Sequence, residues 1–265
     1  MSDDRSGGGK ALRAAVMAVL SPRAIAETMC RLYPRVEPEL ARLGQYMPRG
    51  GTALDVGAWY GPWTRRMAAY ADRVVAIEAH PELAELLRRT VPGVDVRHGA
   101  ASDRGGEIAL SVPAAGPALG LSSVESTGSG LSITVPRIAI DDLGLDEVRF
   151  MKMDVEGHEH AALRGAAGTI ARHRPLVLLE LEERMQDVGR VVDLLASWDY
   201  TGFVHPERRW IPLRDFDLVG HQRAMIRRVD QSFARRVIWP RPRYVNMVLF
   251  RPEHGRSASS RAGSS

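Results

Sequence analysis

From Thr52 to Trp198 short apolar runs alternate with segments of helical periodicity, and no other feature limits the fold of this chain so tightly. Thr52–Gly57, Arg73–Glu78, Val94–His98, Val148–Asp154 and Leu176–Leu181 have strand length. Pro62–Tyr70, Pro81–Thr90, Gly157–Ala171 and Arg184–Trp198 carry apolar residues at helical spacing. Apolar strands joined by helical crossovers pair in parallel and need cover on both faces, so the pattern predicts a doubly wound α/β sheet.

The remaining segments decorate that sheet. Glu107–Val112 and Ile133–Ile140 flank the Gly/Ser-rich stretch GLSSVESTGSG and read as a β insertion at about 105–140 with a mobile tip. After Tyr200 come candidate strands at Gly202–Val204 and Tyr244–Phe250, and a helix near Gln222–Arg235. The last strand can return antiparallel, because a return without reversal of direction would need a crossover helix. Ala11–Leu20 and Glu37–Met47 show helical spacing punctuated by Pro22, Pro34 and Pro38, which makes 10–48 an N-terminal helical segment ahead of a domain at 49–252. Residues 1–9 and 253–265 have too little apolar surface to bury and read as disordered tails.

Composition removes several classes of function. A net charge of +4 is too small to imply a nucleic-acid partner. Cys30 is the only cysteine, which excludes an intrachain disulfide, a Cys-rich zinc site and a CxxC redox pair, and it reads as apolar filler near the first helices. Acidic residues precede any apolar run, and no apolar stretch approaches the roughly 18 residues of a membrane span, so the expected location is the cytoplasm.

Two charged turns carry the chemistry. In Asp55-Val-Gly-Ala-Trp-Tyr-Gly61, Gly57 permits a tight turn after a strand, and Gly61 is expected to admit a ligand to the helix start, where free N–H groups favour an anion. The spacing DxGxxxG lacks the third glycine that seats a pyrophosphate. Glu78 ends the next strand, where a carboxylate can accept from both hydroxyls of a ribose. Asp154-Val-Glu-Gly-His-Glu159 packs four ionisable side chains into one strand end, on the edge where open α/β sheets bind their ligands.

The pieces LDVGAWYG, AIEAHP, GAASDRGGEIAL, TVPRIAIDDL, MKMDVEGHEHAALRGA and PLVLLELEE occur in that order. Over roughly Gly50–Glu182, and more weakly over Tyr244–Phe250, the chain thereby resembles the FkbM-type family of S-adenosylmethionine-dependent methyltransferases. The resemblance implies a class I methyltransferase, Rossmann-like sheet that is mostly parallel with an antiparallel last strand, and S-adenosylmethionine as cofactor. It places Asp55, Gly57, Ala58 and Gly61 around the methionyl part, Glu78 and Ala79 at the ribose, Ala101, Ser102 and Asp103 near the adenine, and Asp154 beside the cofactor. The chain departs from the family at Trp59-Tyr60, where small residues are usual, and at Ile77-Glu78-Ala79, where Phe-Glu-Pro is frequent.

Methyl transfer to an alcohol needs donor and acceptor in line and a base for the hydroxyl proton. His158 is the first candidate base because imidazole titrates near neutrality. Asp154 and Glu180 complete the catalytic set. The same two carboxylates define an alternative in which magnesium polarises the hydroxyl. His205, Trp210 and Tyr200 form a candidate sugar platform, and the arginines from Arg208 to Arg243 could fork to an anionic acceptor, although a solvated face accounts for most of them. The expected activity is O-methylation of a small-molecule hydroxyl, first a sugar or oligosaccharide and alternatively a polyketide or other secondary metabolite. A methylase of nucleic-acid bases would carry Asn/Asp-Pro-Pro-aromatic where Asp154-Val-Glu-Gly stands. A non-catalytic cofactor-binding module is the rival from another class, and a homodimer is compatible with the sequence.

Overall fold

The computed structural model describes residues 21–112, 131–229 and 243–253. The chain enters through α1 (Pro22–Leu32), a 3-10 turn at Tyr33–Arg35, and α2 (Pro38–Ala41). Then follow β1 (Thr52–Val56), α3 (Pro62–Met67), β2 (Arg73–Glu78), α4 (Pro81–Thr90), β3 (Asp95–His98), β4 (Ala100–Ala101), β5 (Gly106–Val112) and β6 (Leu131–Ile138). The second half runs β7 (Val148–Met153), α5 (Glu159–Arg164), α6 (Ala167–His173), β8 (Leu176–Glu180), α7 (Val188–Ser197), β9 (Tyr200–Val204), β10 (Ile211–Pro212), α8 (Leu218–Val229) and β11 (Met247–Pro252).

The main sheet has the order β10-β9-β11-β8-β7-β1-β2-β3. The five strands from β8 to β3 are parallel, and β11 lies antiparallel between β8 and β9. The last strand is therefore inserted within the sheet rather than added at its edge. It begins at Met247; just before it Val245 donates its N–H to His221, and Leu181 donates to the Asn246 carbonyl in the same register as the ladder. The insertion is a separate three-stranded sheet, β4-β6-β5, in which β5 and β6 pair antiparallel.

Strand alternation sorts the core into two layers. Leu54, Val56, Met151 and Met153 pack with Ala162, Leu163, Ile170, Val191 and Leu195 on one face. Ala53 and Phe150 pack with Leu40, Leu43, Trp63 and Met67 on the other.

Several boundaries differ from the periodicity. Pro22 starts a helix, at the N1 position where its missing N–H is harmless, and Ser21 caps the end by accepting from Ala24. The helix expected over Gly157–Ala171 is broken at Gly165, where a Cβ would lie 1.9 Å from the Ser102 carbonyl. The helix expected over Glu37–Met47 contracts to α2 and a 3-10 turn at Leu43–Gln45. The readings of a helix at Ala11–Leu20, a mobile tip, disordered tails and the end of the helix near Arg235 concern residues outside the described ones. Among the described residues no helix is long and apolar enough to cross a membrane.

Candidate active site

The carboxyl ends of β1 and β2 form one half of the site. Asp55 is fully buried, accepts from the Thr64 hydroxyl at 2.5 Å, and lies 3.5 Å from the Lys152 ammonium through its other oxygen. Gly57 takes φ +75°, and a Cβ there would lie 1.8 Å from the Asp154 carbonyl. Gly61 takes φ +85°, and its Cβ would meet Leu87 of α4 at 2.8 Å. Backbone conformation and close packing of protein on protein thus require both glycines, and the expected approach of a ligand does not. The expected row of free N–H groups is also absent at four positions: Gly57 and Ala58 donate to the Ile77 carbonyl, Trp59 to Glu78 and Gly61 to Ala58.

Glu78 ties the two strand ends together. Its carboxylate accepts from Trp59 N at 2.7 Å and His80 N at 2.8 Å. Burial raises its pKa, and these two backbone donors oppose the rise. Trp59 itself holds φ +52°, a conformation unusual for an aromatic residue, packed between Tyr33 and Tyr60 at centroid distances of 5.3 and 4.9 Å. Tyr60 is a core residue with Ile25, Ala26 and Leu83, so of these two aromatics only Trp59 is half-buried.

Whether S-adenosylmethionine fits can be asked of the buried polar atoms that lack a partner. Five side-chain atoms among the described residues are of this kind, and three of them, Asp55 Oδ1, Trp59 Nε1 and His80 Nδ1, belong to these two turns. Such atoms are rare in a completed interior, and a ligand with ammonium, carboxylate and ribose groups offers the donors and acceptors they need. The residues fit the cofactor. Farther along, Ala101 and Ser102 are buried and Asp103 half-buried, with the Ser102 hydroxyl 3.3 Å from Asp103 and 3.0 Å from the His158 ring. The Ala79 carbonyl meets the His98 ring at 3.2 Å.

β7 and β8 supply the other half. Lys152, which the sequence reading passed over, is 2% exposed; its ammonium donates to the Gly57 carbonyl at 2.9 Å and lies 3.5 Å from both Asp55 and Asp154. Burial works against the ammonium, but the charges of Asp154, Asp55, Glu37 and Glu180 overcome it and hold the pKa above the ordinary value. Burial, followed by the charge of Asp154, drives the Glu180 pKa well above the usual carboxylate range. Asn246 donates to both Glu180 and Glu182, and Tyr244 to Glu182 at 2.5 Å.

Beside this pair Asp154, Glu156, Gly157, Glu159, Glu180, Glu182, Met185 and Gln186 line a small pocket. Glu156 stands at φ +52°, with its pKa raised by burial and by the charges of Asp154 and Glu159. Burial pushes Glu159 up to about 7 although its carboxylate accepts from Val155 N at 2.9 Å. The magnesium alternative finds no support: among the described residues no group of three or more His, Cys, Asp or Glu is arranged to hold a metal ion.

His158 is buried before α5 with its ring toward Ser102, on the side the resemblance gives to the adenine. The expected sugar platform is not assembled: Trp210 packs edge-on to His205 and Tyr46, while the Tyr200 hydroxyl is buried against the Pro175 carbonyl. Arg223 and Arg243 are engaged by Glu183 and Glu39. Cys30 is half-buried, with its thiol directed at the Tyr60 carbonyl at 3.7 Å. Besides Lys152, the sequence reading missed Tyr33 and Glu37, whose charge and ring contacts reach this site from the N-terminal segment. A lysine within the apolar run Phe150–Met153 was the available signal for the first, and nothing in local periodicity marks the other two.

A mostly parallel sheet flanked by helices, with its charged site at the carboxyl edge, defines a class I methyltransferase fold of Rossmann-like type. The family model of the methyltransferase FkbM domain matches residues 55–201, more than half of the chain, and the chain belongs to that family. Among solved structures it is similar to an FkbM methyltransferase from Methylobacillus flagellatus KT, with 16% identity and a TM-score of 0.51 over 82% of this chain and 48% of that one. The chain thus spans about half the length of that protein. An rRNA methylase from Streptococcus thermophilus shows 8% identity and a TM-score of 0.42 over 81% of this chain and 94% of that one. A DhpI complex with SAH shows 15% identity and 0.40 over 74% and 86%. No curated protein matches the chain.

Proposed function

We propose that this protein is an S-adenosylmethionine-dependent O-methyltransferase acting on the hydroxyl of a small molecule, with a sugar or oligosaccharide as the first class to try. The cofactor would be held by the turns at Asp55–Gly61 and Glu78–His80, and it supplies a methyl carbon on a sulfonium sulfur that departs as a neutral thioether. The observation that carries the reading is the Asp154 carboxylate, held 3.5 Å from Lys152 and lining the strand-end pocket beside Glu180. Asp154 is assigned as the base: it takes the hydroxyl proton as the oxygen forms its bond to the methyl carbon and the carbon–sulfur bond breaks, and Lys152 keeps its contacts to Asp55 and the Gly57 carbonyl once Asp154 is neutralised. In this assignment His158 moves from first candidate base to a residue of the cofactor side, supported by its contact to Ser102.

The test is labelled S-adenosylmethionine offered against panels of saccharide and polyketide alcohols, with products read by mass spectrometry in the presence and absence of chelator. A labelled methyl ether, insensitive to chelator, is the expected product. Asp154→Asn should lower kcat by about 100-fold or more, the scale of general-base catalysis, whereas His158→Asn should change it by about tenfold or less. The reverse order returns the base to His158. Cofactor binding with no transfer to any alcohol would favour a non-catalytic module.

A further inference from the structure

Glu180 ends β8, and in extended chain the side chains at i and i+2 share a side, so Glu180 and Glu182 both line the strand-end pocket while Leu181 between them enters the core. Two neighbouring carboxylates repel, and they stay together only where donors hold them. Asn246, just before β11, supplies two: its amide nitrogen carries two N–H groups and donates to Glu180 and, at 3.2 Å, to Glu182. The Tyr244 hydroxyl donates to the other oxygen of Glu182 at 2.5 Å. Behind them Gln222 of α8 is 1% exposed; it donates to the Leu181 and Val245 carbonyls at 2.7 and 3.1 Å and accepts from Glu183 N at 2.8 Å. Gln222 therefore grips the middle residue of each of two facing tripeptides, and their outer side chains meet. Asn246, Tyr244 and Gln222 all lie beyond the family-matched stretch 55–201.

We propose that Asn246 is a positioning residue: it holds Glu180 and Glu182 as one acidic wall of the pocket that Asp154 also lines, and that wall orients the hydroxyl-bearing acceptor toward Asp154. The proposal rests on the function assigned above to this site. Joining β11 to β8 needs only backbone bonds, which Leu181 N and the Asn246 carbonyl already extend past the strand ends at 2.7 Å. An amide set between two acids is an addition to that join, and taking the acids out of water carries a desolvation cost that the join does not require. Each carboxylate oxygen can accept more than one hydrogen bond, so the wall keeps room for the hydroxyls of a ligand after Asn246 and Tyr244 are served.

Carboxyl-carbon NMR on the full chain, labelled at glutamate and saturated with S-adenosylhomocysteine, reads the clamp without any acceptor. Asn246→Ala should raise the titration midpoints of Glu180 and Glu182 by about one unit, since each loses a donor that favours its charged form, whereas Tyr244→Phe should raise that of Glu182 alone. Asn246→Asp, which keeps the shape and replaces the donors by a third acid, should raise both further and serves where the alanine variant does not fold. With whichever alcohol yields a labelled methyl ether, Asn246→Ala should lower kcat about tenfold, the scale of one hydrogen bond, and leave KM for S-adenosylmethionine within about twofold. The proposal is overturned if neither midpoint responds, if kcat is unchanged, or if kcat falls only together with S-adenosylhomocysteine affinity and melting temperature, the mark of a merely structural join. Midpoints that respond as expected, with no methyl ether from any alcohol, uphold the clamp and sink the O-methyltransferase reading.

Discussion

Strands β1 and β7 carry charge at both ends of the sheet. At the amino edge Arg149 and Glu147 lie 3.8 Å apart with side chains 49% and 70% exposed. At the carboxyl edge Lys152 and Asp55 lie 3.5 Å apart at 2% and 0%. The separations are alike and the surroundings opposite. Water and mobile ions screen the first pair and make it nearly dispensable, whereas the second has left water and depends on each partner for its solvation. A fold has little reason to bury Lys152 and Asp55 together beside Asp154 unless the edge must present fixed charge to a reacting group, since apolar residues of the same volume would pack there without that penalty.

The sharpest break of this comparison is Lys152→Met against Arg149→Met. Removing Lys152 strands the buried Asp55 and the half-buried Asp154 and should lower unfolding free energy by about 3–5 kcal/mol, whereas Arg149→Met should stay within about 0.5 kcal/mol. Denaturant midpoints of the cofactor-free chain decide it. Equal losses would mean that Lys152 matters only as packing. S-adenosylmethionine affinity should fall with Lys152→Met, because the ammonium holds the Gly57 carbonyl in the cofactor turn.

Glycine offers a second contrast with the backbone conformation nearly matched. Gly57 at the carboxyl edge and Gly93 before β3 take φ +75° and +81°, but a Cβ at Gly93 meets nothing within 4 Å. Gly93→Ala should therefore cost about 1–2 kcal/mol, the left-handed backbone term alone. Gly57→Ala adds collision with the Asp154 carbonyl and should cost at least about 1 kcal/mol more, with loss of cofactor binding in titration calorimetry. Similar losses for both would show that the turn moves readily away from β7.

The same contrast explains what could be read from the sequence. β2 and α4 begin and end where periodicity puts them, since an apolar run and a proline at N1 are local signals. Asp55, Glu78 and Asp154 were legible because each is a carboxylate at the end of an apolar run. Lys152 gains its meaning from register: it pairs with Asp55 across the parallel ladder, and nothing nearby in the chain shows which residue of β1 that will be. Tyr33 and Glu37 are farther still from their partners, and Pro34 between them reads locally as punctuation. Among the arginines, read mostly as a solvated face, Arg223 and Arg243 are engaged by glutamates 40 and 204 residues away, pairings that no local signal marks.

Acidity separates the two edges by sign as well as size. Burial pushes Glu37 up to about 7, so over the interval from its unfolded value near 4.5 the native state holds the proton more tightly. Its contribution to stability is therefore largest in acid and falls as pH rises through that interval, then levels off. Unfolding of the cofactor-free chain at about pH 5 and pH 8 should show Glu37→Gln reducing this loss by about 1–2 kcal/mol. An unchanged pH dependence would mean that Glu37 is better solvated than its burial suggests.

Asp95, at the amino edge, behaves in the reverse sense and on a smaller scale. Arg97 bonds its carboxylate at 2.7 Å and Arg73 at 2.8 Å, and the Arg97 bond chiefly holds its pKa below the ordinary value. The stabilisation is present above the unfolded pKa of 3.8 and is lost as pH falls through the lower folded value. Since both arginines are about half exposed, Asp95→Asn should cost only a few tenths of a kcal/mol at neutral pH, with high salt shrinking it further. Comparing Asp95→Asn with Glu37→Gln across one pH series should then give differences from the unsubstituted chain of opposite sign, salt-sensitive at Asp95 and salt-insensitive at Glu37. If salt weakens both alike, solvent reaches the carboxyl edge in the cofactor-free protein, and the desolvation assigned to Lys152 and Glu180 must come from bound ligand instead of from the fold.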